Sequence, residues 1–260
     1  MMLHDVLAIG SGSLVGFVLG LIGGGGSILA VPLLVYVVGV PSAHVAIGTS
    51  SVAVALSALS SLAGHARAGN VRWPCATVFA ACGVVGAAIG STIGKQFDGQ
   101  RLLTAFGLLM VIVGLVTLRK PKESAAPFRP LTPQSAKTLV PRLVAFGTGT
   151  GLLSGVFGIG GGFLVVPGLV AGARLPLLTA VGSSLVSVSA FGLTTAANYS
   201  LSGLIDWRLV AMFVIGGVVG SVAGGRLAGR LASKKRALSY VFAGVVASVG
   251  IYVVIRGLSG

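Results

Sequence analysis

The sequence predicts an all-α, polytopic membrane protein made of two inverted-topology repeats, each with about four to five helical segments that include a glycine-broken helix hairpin. Three observations carry this. Of 260 residues, 55% are hydrophobic and 8% charged, with the apolar residues in runs of about 15 to 23, long enough to cross a bilayer. The passage Gly20 to Pro32 returns as Gly155 to Pro167, and the basic residues collect in alternate loops.

The duplication sets the domain boundaries. Pro41 matches Pro176, Gly48-Thr49-Ser50-Ser51 matches Gly182-Ser183-Ser184-Leu185, and Gly69 to Trp73 matches Gly203 to Trp207, at an offset that drifts only from 135 to 134. This gives a first transmembrane repeat over 1–118, a linker over 119–138 and a second repeat over 139–260. In the first repeat the apolar pieces run roughly 5–22, 27–40, 42–64, 74–95 and 101–118. The first two total about 36 residues, barely two spans of about 20, and read either as two thin spans or as a re-entrant hairpin. Both leave an odd number of crossings, so the second repeat is inverted. The piece Met1 to Ile22 has no basic leading region and reads as a retained span.

Loop charge supports the inversion. The linker bases Arg119, Lys120, Lys122, Arg129, Lys137 and Arg142 place it in the cytoplasm. An odd repeat then puts Arg67, Arg72, Arg174 and the cluster Arg226, Arg230, Lys234, Lys235 and Arg236 on the same side. Only Lys95, Arg101, Arg208 and Arg256 are left outside, with both termini. The net charge of +14 is thus a topology signal with anionic lipid as neighbour; with no soluble domain to carry it, nucleic acid is not an expected partner. Glycines at four-residue spacing, Gly12-Gly16-Gly20, Gly86-Gly90-Gly94, Gly147-Gly151-Gly155 and Gly216-Gly220-Gly224, read as packing ridges. They permit a homodimer and internal packing alike.

The glycine breaks are the candidate site. Glycines followed by proline deny a continuous helix, and in lipid a broken helix survives only where protein or a cavity satisfies its backbone. Paired breaks at matching places mark a transporter's binding site. Gly24, Gly25, Gly26 and Ser27 in one half and Gly160, Gly161 and Gly162 in the other leave amides at helix N-termini, which suit an anion. The hydroxyls of Thr49, Ser50, Ser51, Ser183 and Ser184 follow. No Gly-Lys-Ser/Thr ending accompanies the glycines, which sets a nucleotide aside. The acids Asp5, Asp98, Glu123 and Asp206 all lie outside the apolar runs, which disfavours a cation substrate. Three histidines, His4, His44 and His65, in one half make no metal set, and no cofactor or catalytic residue is expected. His44, His65 and Arg67, at the ends of one helix, are candidates for coupling or entry. A carrier and a passive anion channel both fit these features; an intramembrane enzyme does not, for want of a catalytic acid pair or an oriented Ser-His pair.

The doubled glycine pattern with its proline, the Gly-Thr/Ser-Ser turn and the Gly-x-Ile/Val-x-Trp signature resemble the sulfite exporter TauE/SafE family over nearly the whole chain. The resemblance implies a bacterial inner-membrane permease for a small sulfur-containing anion such as sulfite or an organosulfonate. The first copy has Gly24 and Ser27 where the second has Ile159 and Gly162, so the two breaks are expected to contribute unequally.

Overall fold

A computed structural model describes residues 2–22, 24–118, 133–230 and 235–259. Every regular element among them is helical, and the chain is a polytopic membrane protein. The first half comprises α1 (Met2–Ile22), the composite α2 (24–38), α3 (Ala43–Arg67), α4 (Trp73–Gly94) and α5 (Gly99–Leu118). The second comprises α6 (Pro133–Phe157), α7 (Gly162–Ala173), α8 (Leu177–Ser200), α9 (Trp207–Arg230) and α10 (Lys235–Ser259). Seven of these helices are long and apolar enough to cross a membrane.

Helix α6 starts inside the stretch 119–138 expected as linker, because Pro133 is at home in a first turn, where its missing N–H costs nothing. Residues 119–132 of that linker, with Arg119, Lys120, Lys122 and Arg129, lie outside the described residues, as does Lys234. Helix α3 is opened by Ser42, whose hydroxyl accepts from the Val45 amide at 3.4 Å, and α8 by Pro176.

The first two pieces of each half form helical hairpins. In the first, α2 turns back along α1: Gly26 sits against the backbone of Leu19 and Val15, and His4 Nδ1 donates to the Val38 carbonyl at 2.8 Å. Helix α2 is 3-10 over Gly24–Leu29, α over Ala30–Pro32 and π over Leu33–Val38. The widening follows Pro32, which lacks a donor and crowds the preceding turn. In the second hairpin, α7 returns along α6, with Gly161 beside Ser154 and Gly172 beside Phe146 and Leu143. Its 12 residues rise about 18 Å, well short of a hydrocarbon core of about 30 Å.

Small residues set the helix pairings. Gly12 lies on Phe213, Gly16 on Gly217 and Gly20 on Ser221, so α1 and α9 run parallel; Gly147 on Phe79, Gly151 on Gly83 and Gly155 on Ala87 make α6 and α4 parallel too. Gly107 meets Gly250 and Val254 while Gly114 meets Ala243 and Ala247, so α5 and α10 are antiparallel. Helices α3 and α8 are also antiparallel, with Gly48 near Tyr199 and Gly192 on Ala55. They form the centre of the bundle: 72% of each is buried, against 28–44% for the other five long spans. Packing of α3 on α9 is repeated by α8 on α4, and α2 meets α7 directly. The main helix pairings across the seam therefore have counterparts with the halves exchanged. Trp73 and Trp207 stand exposed at the starts of α4 and α9, at opposite ends of the bundle.

Candidate functional site: the second glycine break

The bond that ends α6 is Gly158 N–H to Ser154 O, 2.8 Å; those that open α7 are Leu164 and Val165 N–H to Gly161 O, both 2.9 Å. Between them the amides of Gly160 and Gly161 find no acceptor among the described residues. Gly160 and Gly161 have φ of 62° and 65°, the left-handed region that glycine enters without strain. Successive amides in such a turn, at the positive end of a helix, form a concavity for negative charge. The whole stretch from Phe157 to Phe163 is buried.

One hydroxyl that the sequence did not single out, Ser154, borders this turn, and a second, Ser187, lies one helical turn before Phe191, whose ring stands beside Gly161. Ser154 is fully buried, and its oxygen, which has no hydrogen-bond partner, is 3.2 Å from where a Gly161 side chain would begin. Ser187, equally buried and unpartnered, precedes Val188, which packs on Gly160. A hydroxyl in a membrane helix ordinarily bonds to a carbonyl of its own preceding turn. These two do not. Spacing gave no signal for Ser154, which lies in the last turn of α6 and meets Gly161 only because the chain turns back at the break.

Of the expected residues, Ser50 and Ser51 come to this break. Ser51 Oγ lies 2.7 Å from Ile47 O and 3.0 Å from Gly158 O, and Ser50 Oγ lies 3.0 and 3.4 Å from the same carbonyls. They quiet the carbonyl that the break exposes. Gly162 is the first residue of α7. Ser184 donates to Val181 O in its own helix at 2.7 Å. The first break is built differently: Gly25, Gly26 and Ser27 are buried in the 3-10 turn that begins at Gly24, Gly26 is pressed on α1, and this segment faces α7 and α8.

Thr49 and Ser183 do another job. Thr49 Oγ1 accepts from the Asp206 amide at 3.0 Å, and Ser183 Oγ accepts from the Arg72 amide at 2.9 Å. Beside them Gly48 touches the Leu204 carbonyl and Gly182 the Asn70 carbonyl. The two sequence motifs of each half thus clamp one another across the seam, at opposite ends of the bundle. Thr49→Val strips a part-buried amide of its acceptor and is expected to destabilise the protein by about 0.5–1.5 kcal/mol. A lower melting temperature in detergent with unchanged anion affinity is the expected reading.

His44 and His65 stand near the two ends of α3, with Arg67 exposed at its close. His44 Nε2 is 3.1 Å from Phe97 O, and its ring lies 6.5 Å from that of Tyr199. Nearby, Lys95 Nζ donates to Asn198 Oδ1 at 2.7 Å and to Ser202 Oγ at 2.8 Å. A surface cleft of about 430 Å³ opens at this end, lined by Asp5 and Asp206 together with His4 and Arg208, whose guanidinium donates to Asp5 at 2.7 Å. Asp98 and Asp206 cap α5 and α9 through neighbouring amides. Asp5, Asp98 and Asp206 all sit at this end, so no described carboxylate stands at the break.

A bundle of apolar helices around a broken centre, with no described carboxylate at the break, is the architecture of a membrane transporter. The chain belongs to the sulfite exporter TauE/SafE family, which matches residues 8–253. It is 49% identical to a "Probable membrane transporter protein" of Xylella fastidiosa (strain 9a5c), over 96% of this chain and 95% of that protein. It is 30% identical to the "Probable membrane transporter protein YdhB" of Bacillus subtilis (strain 168), over 78% and 82%. Against "Probable membrane transporter protein MJ0441" of Methanocaldococcus jannaschii the identity is 27%, over 75% and 70%. No solved structure matches the chain.

Proposed function

We propose that this chain is a secondary transporter that moves a small sulfur-containing anion, such as sulfite or an organosulfonate, across the bacterial inner membrane by alternating access. The observation that carries the anion is the second break: acceptorless amides at Gly160 and Gly161 beside the unpartnered hydroxyl of Ser154, in a buried site with no described carboxylate near; Ser187, buried and unpartnered one turn before Phe191, is the second hydroxyl of this reading. Such uncharged donors hold a desolvated oxyanion without the cost of burying a fixed charge. The amides from Gly24 to Ser27 form the facing wall, and Ser50 and Ser51 position the break. The sulfur chemistry follows the family description.

Inverted topology agrees with the pairings. With α1 parallel to α9, α4 parallel to α6, and α5 antiparallel to α10, the short turns make every long helix run opposite to its counterpart in the other half. A rocking of one half on the other would then open the same break to each face in turn. By the charge distribution the linker is cytoplasmic and both termini are outside.

Counterflow in proteoliposomes tests this reading. Internal unlabelled sulfite or sulfoacetate is expected to accelerate entry of the labelled anion, as only a carrier allows; simple equilibration without acceleration would mean a passive channel. Ser154→Ala and Ser187→Ala should each weaken anion affinity by about 0.5–1.5 kcal/mol, one hydrogen bond's net contribution, with folding kept. Isothermal titration of the purified variants measures it, and unchanged affinity in both would remove the hydroxyls from the site.

A further inference from the structure

We infer that the route to the break is laid in two laterally offset halves, one along the α3/α9 seam and one along the α8/α4 seam, and that Phe191 plugs the second. This rests on the transporter reading above. On α3, the Ser57 hydroxyl lies against Gly217, Ser60 Oγ is 3.2 Å from Ser221 Oγ on α9, and Ser61 follows, with His65 and Arg67 at the helix end. Ser57 and Ser61 are buried with hydroxyls that meet no partner.

The repeat offset carries Ser61 onto Thr195, which is fully buried and unpartnered in the same way. From there α8 and α4 continue a polar line: Asn198 Nδ2 donates to Ser91 Oγ at 2.6 Å and Thr92 Oγ1 at 2.9 Å, and Lys95 closes the seam. The two lines therefore lead from the centre to opposite faces, each to a cation-bearing end. Buried hydroxyls left unpartnered on the same side of equivalent helices are costly as mere packing; as the lining of a passage they meet water or the anion when it opens.

At one position the lines differ. Where α3 has Ser57 on Gly217, α8 has Phe191 on Gly83, with the edge of its ring 3.4 Å from where a Gly161 side chain would begin. An aromatic ring thus fills the step between the second break and Thr195, while the equivalent step in the other seam carries a hydroxyl. The conformation described is closed on the Lys95 side by Phe191.

Thiol labelling with a charged, membrane-impermeant methanethiosulfonate, in sealed vesicles of either orientation, tests this in a chain with Cys75→Ala and Cys82→Ala. Leu201→Cys, in the 90% exposed α8–α9 turn position, is the positive control. Ser61→Cys is expected to react only from the linker side and Thr195→Cys only from the opposite side. Ser187→Cys should be silent from that opposite side and become reactive when Phe191→Ser is added. Phe191→Leu, which keeps an apolar side chain, should give a weaker gain and serves if the serine variant does not fold. Labelling of Ser61→Cys and Thr195→Cys from the same side, silence of both while Leu201→Cys reacts, or a Ser187→Cys that stays silent in both Phe191 variants would overturn the route. None of these readings involves an anion, so the route can fail while counterflow upholds the transporter, and the reverse.

Discussion

Gly161→Val is expected to abolish transport in protein that still folds. At φ 65° a β-branched residue costs about 1–3 kcal/mol in backbone strain, and its Cβ would come within 2.8 Å of Ser154 Cβ and 3.2 Å of Ser154 Oγ. The cheapest escape is for the turn to re-form with negative φ, which swings the Gly161 amide away from the site and drives the valine methyls against Ser154. Seven spans and their seams are untouched by that change, so folding should survive where binding does not. Gly161→Ala, with one methyl and a smaller left-handed penalty, should fall between. Gly149→Val on the neighbouring turn of α6, where a side chain meets open space, should transport normally. Uptake of labelled anion per folded transporter, with monodispersity by gel filtration, measures all three. Full uptake by a well-folded Gly161→Val protein would move the site elsewhere.

The largest effect on folding is expected at Gly16 and Gly151, which occupy equivalent places in the two halves. A Cβ at Gly16 would overlap the backbone of Gly217, and one at Gly151 the backbone of Gly83. Backbone cannot yield as a side chain does. Gly16→Leu must therefore part α1 from α9, and Gly151→Leu must part α6 from α4, each giving up the longest seam of its hairpin. Overpacking against movable side chains already costs about 1–3 kcal/mol; here the loss should exceed the few kcal/mol by which a domain is stable. Neither variant should accumulate as folded protein, whereas Gly10→Leu and Gly149→Leu, at glycines that face open space, should accumulate normally. Fluorescence-detected gel filtration of tagged variants gives the reading.

Period and duplication made much of this fold legible. The apolar pieces match α1 to α5 within a few residues, because length, proline and glycine act locally and the chain declares them. The four-residue glycine ridges were legible as packing for the same reason: Gly12, Gly16 and Gly20 share one face of α1. What spacing did not reveal is which surface each small or polar residue meets. Thr49 and Ser50 are neighbours in sequence, yet one bonds to the Asp206 amide in the other half and the other to carbonyls at Ile47 and Gly158. Helical geometry turns adjacent residues about 100° apart, so a cluster of hydroxyls along α3 is divided among several partners. Ser154 escaped notice for the opposite reason. It stands on the arm before the glycines, and only the hairpin's return brings Gly161 back onto it.

The clamps at Thr49 and Ser183 say something about how such a chain is put together. Each half carries a Gly-Thr/Ser pair and, some twenty residues on, the turn that this pair grips, but it grips the turn of the other half. At these clamps the surface that one half offers to the seam is matched by a surface the same half also owns. That is the self-complementarity of a two-fold dimer, held here within a single polypeptide. Separately produced 1–118 and 139–260 segments should consequently find one another, and a chain cut in the linker should remain assembled.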